Sequence, residues 1–280
     1  MPDRTRIVVP PERLGVCSWS LRPESSRELL DLIPGTGVRK IQLALDPIAD
    51  RPDDFGDVIH EAGKSGITIS SGMLEAVGEN YATLDSIRST GGVRPDRHWP
   101  ATRERAARAA VIAADHGIPL VTMHAGFIPH DSKDPSRAVV MDRLREVADL
   151  FGAGGVRLGL ETGQETARTL LEVLDELDHP AIGVNFDPAN MILYGMGDPV
   201  EAIRLLASRV VQVHAKDAIA TDTPGTWGTE VPLGEGEVDW NAFISEVLAI
   251  RPEVDIIIER EAGEDRAADI GTARRLLAGD

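Results

Sequence analysis

The chain has 280 residues, a formal net charge of −17 and an aromatic content of 4 %. That length suits one large core, such as a single α/β barrel. The acidic surface argues against phosphate backbones and anionic lipid as partners, so no nucleic-acid or membrane partner is expected. The single cysteine, Cys17, rules out an intrachain disulfide and fits a reducing compartment. No run is long and apolar enough to span a bilayer, and Met1-Pro-Asp-Arg-Thr-Arg6 lacks the apolar stretch of a signal peptide. A cytoplasmic enzyme is the expectation.

Short apolar runs alternate with longer amphipathic ones along the chain. The predicted strands are Leu14–Trp19, Val38–Leu43, Ile67–Ser71, Leu120–Met123, Val156–Leu160, Ile182–Phe186, Val210–Val213 and Asp255–Ile258. The predicted helices are Ser25–Leu32, Asp54–Lys64, Thr102–His116, Pro135–Phe151, Gln164–Leu177, Pro199–Ala207, Asp239–Ile250 and Asp265–Leu277. Strands apolar on both faces suit a parallel sheet covered by helices. Eight strand–helix units predict a closed (β/α)8 TIM barrel, with residues 1–280 as one domain.

Punctuation agrees with this reading. Asp134-Pro135 and Asp198-Pro199 place a capping carboxylate before a first-turn proline, and Asp239 precedes Trp240 in the same role. Gly66, Gly117 and Gly155 stand where helices stop. Two connections are long, Glu75–Arg105 and Ala215–Val238, and both follow strand C-termini, where such barrels carry their sites. An open dinucleotide-binding sheet would need a glycine-rich turn after the first strand; Cys17-Ser18-Trp19-Ser20-Leu21 is not one.

Four polar residues end successive strand runs: Glu161, Asp187, His214 and Glu259, spaced 26, 27 and 45 residues apart. A barrel brings neighbouring strand ends together, so three carboxylates and an imidazole can converge on one divalent ion. The donor set suits Mn²⁺, Mg²⁺, Co²⁺ or Zn²⁺ rather than a thiolate metal. Taken singly, each acid also reads as a helix cap or a solvated loop residue.

The local sequences Leu158-Gly-Leu-Glu161-Thr-Gly, Asn185-Phe-Asp187-Pro-Ala-Asn190, Val213-His214-Ala-Lys216-Asp217 and Ile256-Ile-Ile-Glu259-Arg-Glu resemble the sugar phosphate isomerase/epimerase family, the xylose isomerase-like TIM barrels. Val231-Pro-Leu-Gly234-Glu-Gly236-Glu-Val-Asp239-Trp240 is similar to that family's loop before its last helices. The resemblance covers nearly the whole chain. It implies that Glu161, Asp187, His214 and Glu259 are ligands of a divalent metal, Mn²⁺ first. It also implies that Glu161 and Glu259 form an acid/base pair on opposite sides of a sugar, as in the ketose epimerases. Many members place His three residues after the strand-6 Asp, where this chain has Asn190, which can donate a hydrogen bond but cannot shuttle protons. That departure also weakens the relation to the family's DNA-repair endonucleases.

Further candidates stand near the same ends. His124 reads as a general base, a ligand of a sugar hydroxyl or a structural histidine. Lys216 lies two residues beyond His214, on the same face, and reads as a substrate contact or as the partner of Asp217 or a loop carboxylate. Trp19, Phe127 and Trp227 are candidate platforms for a sugar or aglycone, or else packing residues. Glu75 reads as a solvated loop acid, or else as a substrate contact after the third strand. Glu261 is the alternate ligand if the strand register is off. Met191–Gly197 reads as core or dimer packing. Gly234-Glu235-Gly236 lacks the Lys and Ser/Thr of a phosphate loop, so a non-phosphorylated sugar or polyol derivative is expected as substrate.

The function expected is a metal-dependent carbohydrate isomerase or epimerase acting through an enediolate. A lyase cleaving a keto-glycoside, with His124 as base, is the alternative. A non-catalytic sugar-binding barrel is the alternative of another class. A homo-oligomer is expected from the resemblance.

Overall fold

The computed structural model describes residues 8–280; the stretch Met1–Arg6, read above for a signal peptide, lies outside them. Eight parallel strands close into a barrel. They are β1 (Leu14–Cys17), β2 (Lys40–Ala44), β3 (Thr68–Met73), β4 (Leu120–Met123), β5 (Arg157–Glu161), β6 (Ile182–Phe186), β7 (Val210–Ala215) and β10 (Ile256–Ile258). Around the ring they run β1-β10-β7-β6-β5-β4-β3-β2. A small antiparallel hairpin, β8 (Asp217–Ile219) and β9 (Thr229–Val231), lies beyond the mouth of β7.

The helices are α1 (Ser26–Leu32), α2 (Asp46–Asp50), α3 (Pro52–Phe55), α4 (Val58–Lys64), α5 (Leu84–Thr90), α6 (Trp99–Asp115), α7 (Pro135–Ala153), α8 (Ala167–Leu177), α9 (Pro188–Leu193), α10 (Pro199–Leu206), α11 (Trp240–Ile250) and α12 (Arg266–Ala278). Their buried faces, such as Val140, Leu144, Val147 and Phe151 on α7, pack on strands whose own side chains are buried. Each fully buried Leu, Ile or Phe contributes roughly 1.5–3 kcal/mol, so this interface is the main stabilising term. The predicted capping acids act as read: Asp134, Asp198 and Asp239 accept from Ser136, Glu201 and Ala242 backbone N–H groups.

Several boundaries differ from expectation for local reasons. The first strand stops at Cys17, because residues 18–21 turn into a 3-10 helix whose Ser18 hydroxyl bonds the Ala44 amide. The helix expected over Asp54–Lys64 begins four residues late, because Pro47 and Pro52 start separate short helices, α2 and α3, and Gly56 separates α3 from α4. Gln164 to Thr166 are not helical; Thr166 caps α8 instead. The long first connection carries α5, and α6 begins at Trp99.

That connection is fastened to the barrel mouth by two glycines. Gly92 has φ +63°, and a Cβ there would lie 2.1 Å from the Ala125 carbonyl group. Gly126, with φ +84°, meets the Gly91 carbonyl oxygen at 2.2 Å in the same way. The two backbones therefore cross with no room for side chains, and the β4 turn that carries His124 is held beneath the β3 connection. Gly92→Ala is expected to lower the unfolding free energy by on the order of 2 kcal/mol or more in urea titrations. Gly63→Ala on α4, where a Cβ meets nothing within 4 Å, is expected to stabilise by about 0.5–1 kcal/mol.

Candidate metal centre

Glu161, Asp187, His214 and Glu259 come from four consecutive staves of the barrel, at its C-terminal mouth. Each offers one ligand atom, and these atoms lie within 4.8 Å of one another, all buried. His214 Nδ1 lies 3.4 Å from Glu161 Oε1 and 3.3 Å from Glu259 Oε2. Glu161 is the last residue of β5, whereas Asp187 and Glu259 stand just past β6 and β10.

Asp187 reconciles two readings of the sequence. It caps α9, with Oδ1 accepting the Asn190 N–H at 3.0 Å. Its Oδ2 is buried and faces the Lys216 ammonium at 2.9 Å, whereas His214 Nδ1 is buried with no hydrogen-bond partner. A buried ring nitrogen left without a partner among three carboxylates is costly unless a cation satisfies it. The donor set, three carboxylates and one imidazole with no thiolate in the cluster, fits a hard or borderline divalent ion.

The layer beneath holds these groups in place. Gln212, His214 and Lys216 alternate along β7 and so line its inner face in three tiers. His214 Nε2 lies 2.7 Å from Gln42 Oε1, so the carbonyl oxygen accepts that ring N–H and Nδ1 is the nitrogen turned toward the carboxylates. Gln42 Nε2 donates to Thr122 Oγ1 at 2.7 Å and to the Gly72 carbonyl. Gln212 Nε2 donates to Gln42 Oε1 and to Asn185 Oδ1, and Ser71 Oγ donates to Gln212. Asn185 Nδ2 in turn donates to Glu161 Oε2. Cys17 Sγ touches this layer at Gln42 and His214 and lies within reach of Glu259, closer to the cluster than the sequence suggested, but burial pushes its thiol up, so it stands as a neutral thiol.

Charge balance explains how so many ionisable groups stay buried. Burial alone would raise Glu161 and Glu259, but histidines and Lys216 outweigh it. Glu161 is held below its usual range by His124 and His214, and Glu259 well below it by Lys216 and His214. Burial dominates at Asp187, which is pushed up to about 7 despite Lys216. Burial would lower Lys216, yet Asp187, Glu259 and Glu261 hold it well above its ordinary value.

The remaining candidates sort themselves by contact. Lys216 Nζ pairs with Glu259 Oε2 at 2.6 Å, Asp187 Oδ2 at 2.9 Å and Glu261 Oε2 at 3.2 Å. It does not pair with Asp217, which instead accepts the amides of Gly234, Gly236 and Val238 and the Trp240 indole N–H. Glu261 is half exposed and lies outside the four-residue cluster. Asn190 donates to Glu161 Oε1 at 3.0 Å, so its amide serves a cluster carboxylate within the protein. Gly163 makes room for it, since a Cβ there would lie 2.6 Å from Asn190 Cβ. His124 Nε2 lies 3.8 Å from Glu161 Oε1 and lines the cavity, as do Trp19, Trp227 and Glu75. Trp19 Nε1 donates to Glu259 Oε1 at 2.8 Å. Phe127 does not line the cavity; the Arg88 guanidinium covers its ring at 4.6 Å. Met191 and Ile192 are buried in the core.

Gln42, Asn185 and Gln212 were not singled out from sequence as supports of the cluster. Their signal is an amide interrupting an apolar strand run, as in Ile41-Gln42-Leu43 and Val211-Gln212-Val213. Gln42→Leu is expected to weaken Mn²⁺ binding by about 10–100-fold in calorimetric titration, through loss of the oriented His214. Unchanged affinity would show that the imidazole needs no such partner.

Comparison with known proteins follows the same lines. A 3-oxo-isoapionate decarboxylase from Pectobacterium atrosepticum is 33 % identical over 129 residues, 45 % of this chain and 46 % of the relative. A 3-dehydroshikimate dehydratase from Bacillus anthracis is 28 % identical over 133 residues, 42 % of this chain and 47 % of the relative. The matches thus span about half the length of these curated relatives. A xylose isomerase domain protein from Planctomyces limnophilus superposes with a TM-score of 0.83 at 30 % identity, covering 89 % of this chain and 91 % of the other. An L-ribulose 3-epimerase structure shares the fold, with a TM-score of 0.68 at 20 % identity over 94 % of this chain and 92 % of the other. Residues 30–278 match the family model described as xylose isomerase-like TIM barrel. The closed parallel barrel and this match together place the chain in the xylose isomerase-like TIM barrel family.

Proposed function

We propose that the chain is a divalent-metal-dependent carbohydrate isomerase or epimerase that removes a proton from carbon beside a carbonyl. The observation that carries this reading is the convergence of Glu161, Asp187, His214 and Glu259, with His214 Nδ1 unpartnered, beneath a cavity of about 790 Å³ that Glu259 lines. These residues would hold Mn²⁺, with Mg²⁺, Co²⁺ or Zn²⁺ as alternatives. An ion bound there supplies Lewis acidity to a sugar carbonyl and its neighbouring hydroxyl.

The rest is the work of the side chains. Glu259 is fixed by Trp19 Nε1 on one oxygen and Lys216 Nζ on the other. Glu161 is fixed by Asn185 and Asn190. Both are held ionised, as a base requires. One takes the proton, the C–H electron pair becomes an enediolate, and its conjugate acid or the opposite residue returns a proton. Return to the opposite face of the same carbon gives an epimer; return to the neighbouring carbon gives an isomer. Asn190 cannot carry that proton, so no relay runs through it.

A second reading is favoured by the names of the curated relatives, a decarboxylase and a dehydratase. In a lyase the same proton removal, with His124 as the rival base, is followed by expulsion of a leaving group from the adjacent carbon. Solvent-deuterium exchange into a panel of ketoses and keto-glycosides tests the shared step. Glu161→Gln is expected to lower bound Mn²⁺ and slow exchange on the order of 10³-fold. A product of unchanged mass marks the isomerase or epimerase, and a split product the lyase. Full exchange by the variant, with its metal content intact, would overturn both.

A further inference from the structure

The cavity above the cluster has two unlike walls. Its volume, about 790 Å³, lies toward the top of the range of about 300–1,000 Å³ that holds drug-sized ligands. A single sugar ring seated at the metal cluster leaves much of it unfilled. In the strand ring, β2 and β3 stand opposite β6 and β7. The mouths of the first pair contribute Asp46, Asp50, Glu75 and Glu79 to the lining, beside Arg51, Met73 and Tyr81; the mouths of the second contribute Leu193, Tyr194 and Trp227, with Asn190 and Lys216 deeper toward the cluster.

The apolar wall is already assembled. Tyr194 and Trp227 meet edge to face, with ring centroids 4.8 Å apart. The Gly228 amide donates to the Leu193 carbonyl, and Gln164 Nε2 donates to the Tyr194 hydroxyl. Trp227 is therefore docked against the end of α9, although most of its loop is exposed.

The acidic wall leaves no cation for an anionic substrate. Arg105 is taken up by Asp50 at 2.9 Å and Asp46 at 3.5 Å. Arg51 pairs with Asp54 at 2.9 Å and lies over the Phe55 ring. Lys216 is surrounded by three carboxylates. A phosphate or carboxylate entering here would meet carboxylates first and find every lining Lys and Arg engaged. Sugar hydroxyls, by contrast, are donors that carboxylates accept well.

We propose that the substrate is an uncharged sugar derivative carrying a flat apolar substituent, its hydroxyls facing the Asp46–Glu75 wall and its substituent lying on Tyr194 and Trp227. This rests on reading the four-residue cluster as the sugar site. It separates the chain from its curated relatives, whose names denote carboxylate substrates.

The test is calorimetric titration of the full-length, Mn²⁺-loaded protein with paired methyl and phenyl glycosides of glucose, galactose, mannose and xylose, and with glucose 6-phosphate. For at least one sugar the phenyl glycoside is expected to bind about tenfold or more tightly than the methyl one, the scale of an aromatic contact. Trp227→Ala is expected to bring that ratio near one, Trp227→Phe to retain most of it, and glucose 6-phosphate to bind no better than the methyl glycosides. Equal affinities for both members of every pair, absence of binding by all of them, or a ratio that survives Trp227→Ala would overturn the substituent site. Tight binding of the phosphate would overturn the exclusion of anions. Metal analysis of the same samples separates these results from failure of the underlying reading, which shows as protein that takes up no Mn²⁺.

Discussion

The hydrogen bond from the His214 imidazole to Gln42 Oε1 is the constraint on which the rest of the centre depends. It joins β7 to β2 across the barrel interior and settles which ring nitrogen faces the carboxylates. Gln42 can do this only because its own amide nitrogen is held by Thr122 and the Gly72 carbonyl. Gln212 links the same Gln42 oxygen to Asn185, and Asn185 reaches Glu161. A barrel interior of this kind is usually filled by branched apolar side chains. Here one tier is given over to amides and hydroxyls, each with partners, which is the condition under which buried polar groups stabilise one arrangement rather than many.

Above that tier the problem is charge. Glu161, Asp187 and Glu259 are buried within one cluster, and such a group is unfavourable unless cations compensate it. Lys216 supplies part of the compensation, and the unpartnered His214 Nδ1 marks where more is required. The same lysine thus sits at the boundary between cluster and cavity, where its ammonium faces both the cluster carboxylates and the half-exposed Glu261.

The mouth loops are built to hold still. Asp217 gathers four backbone amides and an indole N–H, which fixes the segment leading to α11. Glu230 on β9 accepts from the Arg260 guanidinium and from the Glu261 and Ala262 amides, tying the hairpin to the strand end that carries Glu259. The aromatic wall and the cluster therefore share a frame.

Much of this was legible in the chain itself. Alternating apolar runs and amphipathic segments required eight strand–helix units, because each strand is apolar on both faces and must be covered on both. The strand-end positions of Glu161, Asp187, His214 and Glu259 followed from where those runs stop. Residue spacing could not tell a helix cap from a cluster residue at Asp187, since its two oxygens serve both, one each. Nor could it assign Lys216 to carboxylates 29 and 43 residues distant rather than to its neighbour Asp217, or turn Phe127 away from the cavity. Periodicity along a strand reports which face a side chain takes, and local sequence therefore determined the barrel and the candidates. Which groups meet across the ring depends on closure, stagger and loop crossing, and those contacts between distant segments were decided only by the tertiary structure.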